Sequence, residues 1–456
     1  MRGSSGVVHK PYQPAVCPRG EGVPYICRLA PFATGFEAEW IGDETMAHTL
    51  FYKRREAKSY ASLTVLDRVV RVSGLECDRE YEFYIEREDG RRSNTRLVRC
   101  GEIPNGTNVI NYLHPDDNQY DFSGHFLCSP SLVRLPSGRI LASMDVYGKE
   151  MPQNLTLLFF SDDEGESWHY LCDLYPFFWG TLFMHRGKLY FLGQTTEYGN
   201  LQIIASEDEG EHFSEPVTLF YGSNVLCRYG GCHRAPMHLV SFNGRLWTSM
   251  EYGCWRMGSH LPAVLSIRED SDLLVAENWT LSDFLPFEGE WRERAGTQGD
   301  TIEGNLTVID GKLYNLMRWR GGEILKLCVD AEKPESAPIF SEILEAPVSN
   351  SMFRVLSHGD GFLLVSNPIT ERQRVTPCWS YRSILSIYKT KDFNAFTHLC
   401  DVVNCEEEDP TKTGFQYPAF LLEGNTLSLA IRSAFNSADT FHNSNYILFY
   451  RTEIEL

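Results

Sequence analysis

Residues 25–100 form short runs in which apolar and polar positions alternate between turn signals, the mark of half-buried strands. Phe36, Ala38 and Trp40 share one face of the run 36–40, and Tyr81, Phe83 and Ile85 share one face of the run 81–85. Val72-Ser73-Gly74-Leu75 supplies a turn between them. The pattern predicts a small β-sandwich over 21–103, behind a polar, Gly/Pro-rich arm at 1–20. From 104 to 456 the rhythm changes to an apolar strand, a Gly turn with a basic or polar residue, and a second apolar strand. The unit occurs at 131–142 around Gly138-Arg139, at 182–191 around Gly187-Lys188, and at 238–248 around Gly244-Arg245. It returns at 306–316 around Gly311-Lys312, with weaker copies at Asp360-Gly361 and Glu423-Gly424-Asn425. Copies at this spacing are blade hairpins, so an all-β chain with a six-bladed β-propeller after the sandwich is expected.

After the first two hairpins, a third strand ends in Ser161-Asp162-Asp163-Glu164-Gly165-Glu166-Ser167-Trp168 and in Ser206-Glu207-Asp208-Glu209-Gly210-Glu211-His212-Phe213. Asp163 and Asp208 can accept backbone N–H groups inside such turns, the glycines can supply a positive φ, and the aromatic can pin the hairpin. The turns fit the Ser-x-Asp-x-Gly-x-x-Trp pattern of the Asp box, the second with Phe213 for Trp, and their carboxylates are expected to be structural. Repeat and boxes together resemble the sialidase superfamily. The early Trp40, the Leu75 turn and Tyr81-x-Phe83 resemble a fibronectin type III module, which implies a spacer or docking surface.

In the sialidase superfamily three arginines grip a carboxylate, a tyrosine nucleophile is paired with a glutamate, and an acidic residue is the acid/base. The stretch Ile302-Glu303-Gly304-Asn305, followed by Asn315-Leu316-Met317-Arg318, resembles the family's glutamate and one arginine. Trp379-Ser380-Tyr381-Arg382 resembles the segment of a second arginine, and Phe415-Gln416-Tyr417-Pro418 that of the nucleophile. The resemblance implies Tyr417 as nucleophile, Glu303 as its proton acceptor, and Arg318 and Arg382 as carboxylate ligands. A tyrosine needs such a carboxylate to become nucleophilic. Where the family's leading arginine stands, this chain has Cys128, which cannot make the paired N–H bonds of a guanidinium. The acid/base position falls to Glu150 or Asp145.

Other residues collect at equivalent blade positions. His233-Arg234 opens the third unit, where the pair can contact an acidic sugar in place of the missing arginine, or His233 can act as a base. His442 lies in a polar loop of the last unit, and Trp179, Trp255, Trp291 and Trp319 are candidate sugar-stacking surfaces. With 42 Lys+Arg against 61 Asp+Glu the formal charge is −19, a field that disfavours nucleic acid as a partner. No run approaches the ~18 apolar residues of a membrane span, so no membrane partner is expected. No apolar segment follows Met1-Arg2-Gly3, so no secretory signal is read and a cytoplasmic location is the expectation. The 13 cysteines include no Cys-x-x-Cys pair and read as reduced, structural thiols. No metal constellation, phosphate loop or Gly-x-Ser-x-Gly elbow is present, so no cofactor is expected.

Three functions follow. The first is a glycoside hydrolase releasing a terminal acidic sugar from a glycan. The second is a polysaccharide lyase acting on a uronic acid with His233, Tyr417 and Arg318. The third is a glycan-binding propeller without catalysis, which the Cys128 substitution favours.

Overall fold

The computed structural model describes residues 22–223, 230–255, 259–286, 299–375, 378 and 380–454. The N-terminal arm and Trp291 therefore lie outside the described residues. Two sheets form first: Tyr25–Phe32, Gly35–Ile41 and Val69–Ser73 in one, and His48–Arg54, Ala61–Val65, Glu80–Arg87 and Arg96–Arg99 in the other. Phe36, Ala38, Trp40, Tyr81, Phe83 and Ile85 are all buried between them, as period-two alternation requires. The Phe36 and Phe83 rings meet at 4.5 Å, and the Tyr81 hydroxyl accepts the Glu76 N–H at 2.9 Å.

Six four-layered blades follow, each running outward from an inner strand. Those inner strands are Phe126–Arg134, Phe178–His185, Gly231–His233 with Val240–Phe242, Ile302–Ile309, Arg354–His358 and Gly414–Glu423. The second strands are Ile140–Tyr147, Lys188–Gln194, Arg245–Cys254, Lys312–Arg320, Gly361–Ser366 and Thr426–Ala434. Every Gly turn of the sequence repeat closes one of these six hairpins. Blade six takes its outer strand, Thr107–Tyr112, from the residues before blade one; that strand pairs with Tyr446–Glu453. This closes the ring with backbone hydrogen bonds between the two ends of the propeller segment. The sandwich is bound to the closure. Arg28 donates to the carbonyls of Ile110 and Val109 at 2.8 and 2.9 Å, and buried Arg96 pairs with buried Asp117 at 2.7 Å.

In the turn after the third strand of blade one, Asp163 Oδ1 accepts from Ser167 N at 2.9 Å and Gly165 N donates to Ser161 Oγ at 2.8 Å. Blade two repeats both bonds with Asp208, His212, Gly210 and Ser206. These carboxylates lie on turns and hold backbone. A cavity of about 590 Å³ fills the channel, walled by positions such as Leu132, Leu182, Val240, Val308, Leu356 and Phe420 from all six inner strands. Its lining is chiefly aliphatic and includes none of the Tyr–Glu–Arg residues described next, which lie at the end where the inner strands begin.

Candidate active site

A break in register recurs at the start of four inner strands. In blades one, two, four and six the pairing of inner and second strand shifts, and one residue adopts a positive φ: Ser129 (49°), Trp179 (53°), Glu303 (59°) and Tyr417 (53°). Each non-glycine residue held there costs on the order of 1–3 kcal/mol. These β-bulges re-aim a side chain that strict alternation would send elsewhere. Gly304 is required beside Glu303, because a Cβ there would stand 2.1 Å from Asn315 Oδ1 and 2.5 Å from Ser249 Oγ.

The bulges bring Tyr417 and Glu303, 114 residues apart, into direct contact: the phenol donates to Glu303 Oε1. Arg318, opposite Ile302 on the neighbouring strand, donates through Nη1 to Glu303 Oε2 at 2.8 Å and to the Tyr417 hydroxyl at 3.1 Å. Its Nε donates to Asn350 Oδ1 at 2.9 Å. Tyr417 is 7% and Glu303 3% exposed. Burial pushes the Glu303 carboxyl up, but Arg318 and the phenol outweigh it and hold the group below its ordinary value. Burial and then Glu303 hold the Tyr417 phenol above its own ordinary value, against the pull of Arg318, Arg382 and Arg432. The pair thus consists of a carboxylate accepting from a neutral phenol.

Arg382 reaches the same group. Its guanidinium lies 5.7 Å from the Tyr417 ring centroid and donates to Ser380 Oγ, Gln416 Oε1 and the Asn350 carbonyl. Burial, and then Arg318, lower it to about 9. A third guanidinium was not singled out in the sequence. Arg432 lies 5.2 Å from the Tyr417 ring and 5.5 Å from the Tyr147 ring, and donates to Ser444 Oγ and the His442 carbonyl. It pairs with Gln416, the residue before the bulged Tyr417, as Arg318 pairs with Ile302 before the bulged Glu303. The signal was therefore present: Leu316-Met317-Arg318 and Ala430-Ile431-Arg432 are the same place in two copies of the repeat. Arg432 also acts on Cys128. Burial raises that thiol to about 12, and Arg432 is the charge pulling against it. A charge is thus supplied from blade six close to where blade one lacks one. His442 joins the group, its ring edge-on to Tyr147 at 5.3 Å. Burial and the three arginines keep it neutral, well below its ordinary value.

The remaining sequence candidates divide. Arg234 is wholly buried and donates to Thr181 Oγ1, Thr248 Oγ1 and the Met237 and Leu192 carbonyls. These bonds brace blades two and three and set it apart from the Tyr417 group. Asp145 is also committed to the fold: its carboxylate accepts from Thr156 Oγ1 at 2.5 Å and from the N–H of Trp179 at 2.8 Å. Burial holds its pKa well above the ordinary carboxylate range. Glu150 is exposed on the loop after the second strand of blade one, outside the Tyr417 network. Trp319 is 5% exposed among Met317, Leu325 and Leu327, because it follows Arg318 on one strand and so faces the other side of the sheet.

His233 is present beside this network, with an environment that local sequence did not reveal. Its Nδ1 lies 3.1 Å from Glu251 Oε2. The rings of Trp179 and His260 stand 4.5 and 4.6 Å from it, and those of Tyr198 and Trp255 both 5.9 Å. Trp255 is 49% exposed, yet its indole N–H is fixed on Glu197 Oε1 at 3.0 Å. Glu197, absent from the sequence candidates, also accepts from Gln153 Nε2 at 3.2 Å, and burial raises its carboxyl.

No protein-family model matches the sequence, and no curated protein matches it. Among solved structures the chain is similar to a Hadza microbial sialidase, at 12% identity over 98% of this chain and 98% of that one, with a TM-score of 0.50. It is similar to an α-L-arabinofuranosidase from Fusarium graminearum bound to an iminosugar inhibitor, at 12% identity over 77% and 98%, TM-score 0.51. A third likeness is to an intramolecular trans-sialidase from Ruminococcus gnavus in complex with oseltamivir carboxylate, at 13% identity over 77% and 98%, TM-score 0.51. At such identities the likeness is one of fold, and the site must carry the function.

Proposed function

We propose that this protein is a glycoside hydrolase that releases a terminal acidic sugar, with Tyr417 as nucleophile and Glu303 as the base that takes its proton. The observation that carries the reading is the contact of Tyr417 with Glu303, with Arg318 Nη1 on both of them. A phenol aimed at a carboxylate can lose its proton as it attacks, and it approaches an anionic sugar without the repulsion of a carboxylate nucleophile. Arg318, Arg382 and Arg432 form the positive wall that receives the sugar carboxylate. In the first step Tyr417 Oη bonds to the anomeric carbon as the glycosidic C–O bond breaks, the phenolic proton passes to Glu303, and the departing oxygen takes a proton from a general acid. Water then displaces the tyrosine, giving its proton back to that acid, and Glu303 returns its proton to the phenolate. The sialidases and arabinofuranosidase of like fold support a carbohydrate substrate, and residues 21–103, as a fibronectin type III-like module, would serve docking.

The test is a panel of aryl glycosides of acidic and neutral sugars together with uronic-acid oligosaccharides. Aglycone release from an acidic glycoside, abolished in Tyr417→Phe and Glu303→Gln, is the expected result. Release from neutral sugars alone would reject the arginine wall as a carboxylate site. Growth of near-ultraviolet absorbance, the mark of an unsaturated product, would replace hydrolysis with elimination.

A further inference from the structure

Hydrolysis needs a group that protonates the departing oxygen, and the structure offers a candidate besides the carboxylates suggested by sequence. Asp145 is tied on both oxygens, and Glu150 lies on an exposed loop. His233 has the features such a group requires. It and Glu251 are each 1% exposed, with Nδ1 on Glu251 Oε2 at 3.1 Å. Glu251 Oε1 in turn accepts from Ser249 Oγ at 3.1 Å, and Ser249 Oγ accepts from Asn315 Nδ2 at 3.0 Å. Asn315 belongs to the strand that carries Arg318, so the chain of bonds runs from the imidazole to the strand beneath the Tyr417 network. A carboxylate on Nδ1 fixes the tautomer and the ring plane, which leaves Nε2 for a substrate oxygen. The rings of Trp179, Tyr198, Trp255 and His260 pack around the imidazole at 4.5–5.9 Å.

The charged and titratable groups around His233 belong to several blades. Glu251 is bonded to it, and Glu303 and Glu197 both feel its charge. His260, kept neutral by burial, lies within electrostatic reach of both His233 and Arg318. The imidazole therefore stands in a setting shared with the nucleophile's own base.

We propose that His233, oriented by Glu251, is the catalytic residue that protonates the departing sugar oxygen, an inference that rests on the glycosidase reading. As the anomeric C–O bond breaks and the bond to Tyr417 Oη forms, the Nε2 proton of the imidazolium moves to the leaving oxygen while the phenolic proton moves to Glu303. In the second step the neutral imidazole takes a proton from water, the water oxygen bonds to the anomeric carbon, the bond to Tyr417 breaks, and Glu303 returns its proton to the phenolate. Glu251 is a positioning residue.

The experiment compares His233→Asn, Glu251→Gln and wild type on two glycosides of one sugar, with a methanol and a dinitrophenol leaving group, across pH. A dinitrophenolate departs without protonation, so His233→Asn should lose on the order of 10²–10⁴-fold on the methyl glycoside and under about tenfold on the dinitrophenyl one. The alkaline limb of kcat/KM should vanish in His233→Asn and move in Glu251→Gln, a shift that a purely structural role would not produce. Equal losses on both glycosides, with an unmoved pH profile in Glu251→Gln, overturn the proposal while leaving Tyr417 and Glu303 in place. Wild-type silence on every glycoside removes the glycosidase reading and this proposal with it.

Discussion

Removing the Arg318 charge gives the most direct test of the network, and it needs no substrate. Arg318 and Glu303 meet at 2.8 Å with side chains only 9% and 4% exposed. Replacing Arg318 with Met keeps much of its volume but leaves the Glu303 carboxylate buried without its cation. Breaking a buried pair in this way costs about 3–5 kcal/mol. With an unfolding entropy near 2.1 cal/mol/K per residue over roughly 350 propeller residues, 1 kcal/mol corresponds to about 1.4 °C, so the expected loss of Tm is about 4–7 °C near pH 8. The loss must also depend on pH. In the native protein Glu303 lies below its ordinary value because Arg318 outweighs burial, so its contribution is present above the unfolded carboxylate range and is lost as pH falls. Without Arg318, burial dominates and the folded pKa rises above the unfolded one; the folded variant then binds more protons and loses stability as pH increases. The difference in Tm should thus be larger at pH 8 than at pH 5, measured at one scan rate. Adding Glu303→Gln should recover part of the loss, with a coupling of about 1–3 kcal/mol in the double-mutant cycle. A loss below about 1 °C, or one that is independent of pH, would refute the coupled pair.

Three further outcomes are expected. Arg432→Met should raise KM for an acidic glycoside by roughly 10–150-fold, the worth of a hydrogen bond to a charged group, while a neutral glycoside shows no change; equal effects on both would remove Arg432 from the carboxylate wall. Asp145→Asn retains an acceptor for the Trp179 N–H and deletes a buried titratable group. Because the native Asp145 pKa is raised, wild type loses stability as pH climbs above the unfolded carboxylate range, so the variant's Tm should improve relative to wild type from pH 5 to pH 8, and a constant difference would contradict this. Gly165→Ala places a Cβ 2.0 Å from the Phe449 ring at a φ of 92° and should lower stability by at least about 1–3 kcal/mol, read as a fall in Tm, whereas an unchanged Tm would contradict the tight seat of that turn.

Much of the architecture is legible from the chain because its causes are local. Alternation placed Phe36, Ala38 and Trp40 on a buried face, and a Gly turn between two apolar strands closed each of the six hairpins. Glu303 and Arg318 could be paired on the page because they belong to facing strands of one hairpin. Arg432 was equally legible from the repeat, since it occupies in blade six the place of Arg318 in blade four, but no family motif drew attention to it. Other roles have no local signature. Arg234 and Arg382 are both buried arginines near inner strands, and only their partners separate them: hydroxyls and carbonyls of blades two and three for one, the surroundings of Tyr417 for the other. Asp145 acquires its role from Trp179, 34 residues on, and His233 from Glu251 and four rings. That Thr107–Tyr112 completes blade six depends on a partner more than 300 residues away. Periodicity and turn chemistry act over a few residues and can be read in order along the chain. The burial, charge pairing and strained bulges of the site exist only once ring closure has brought six distant strand starts together.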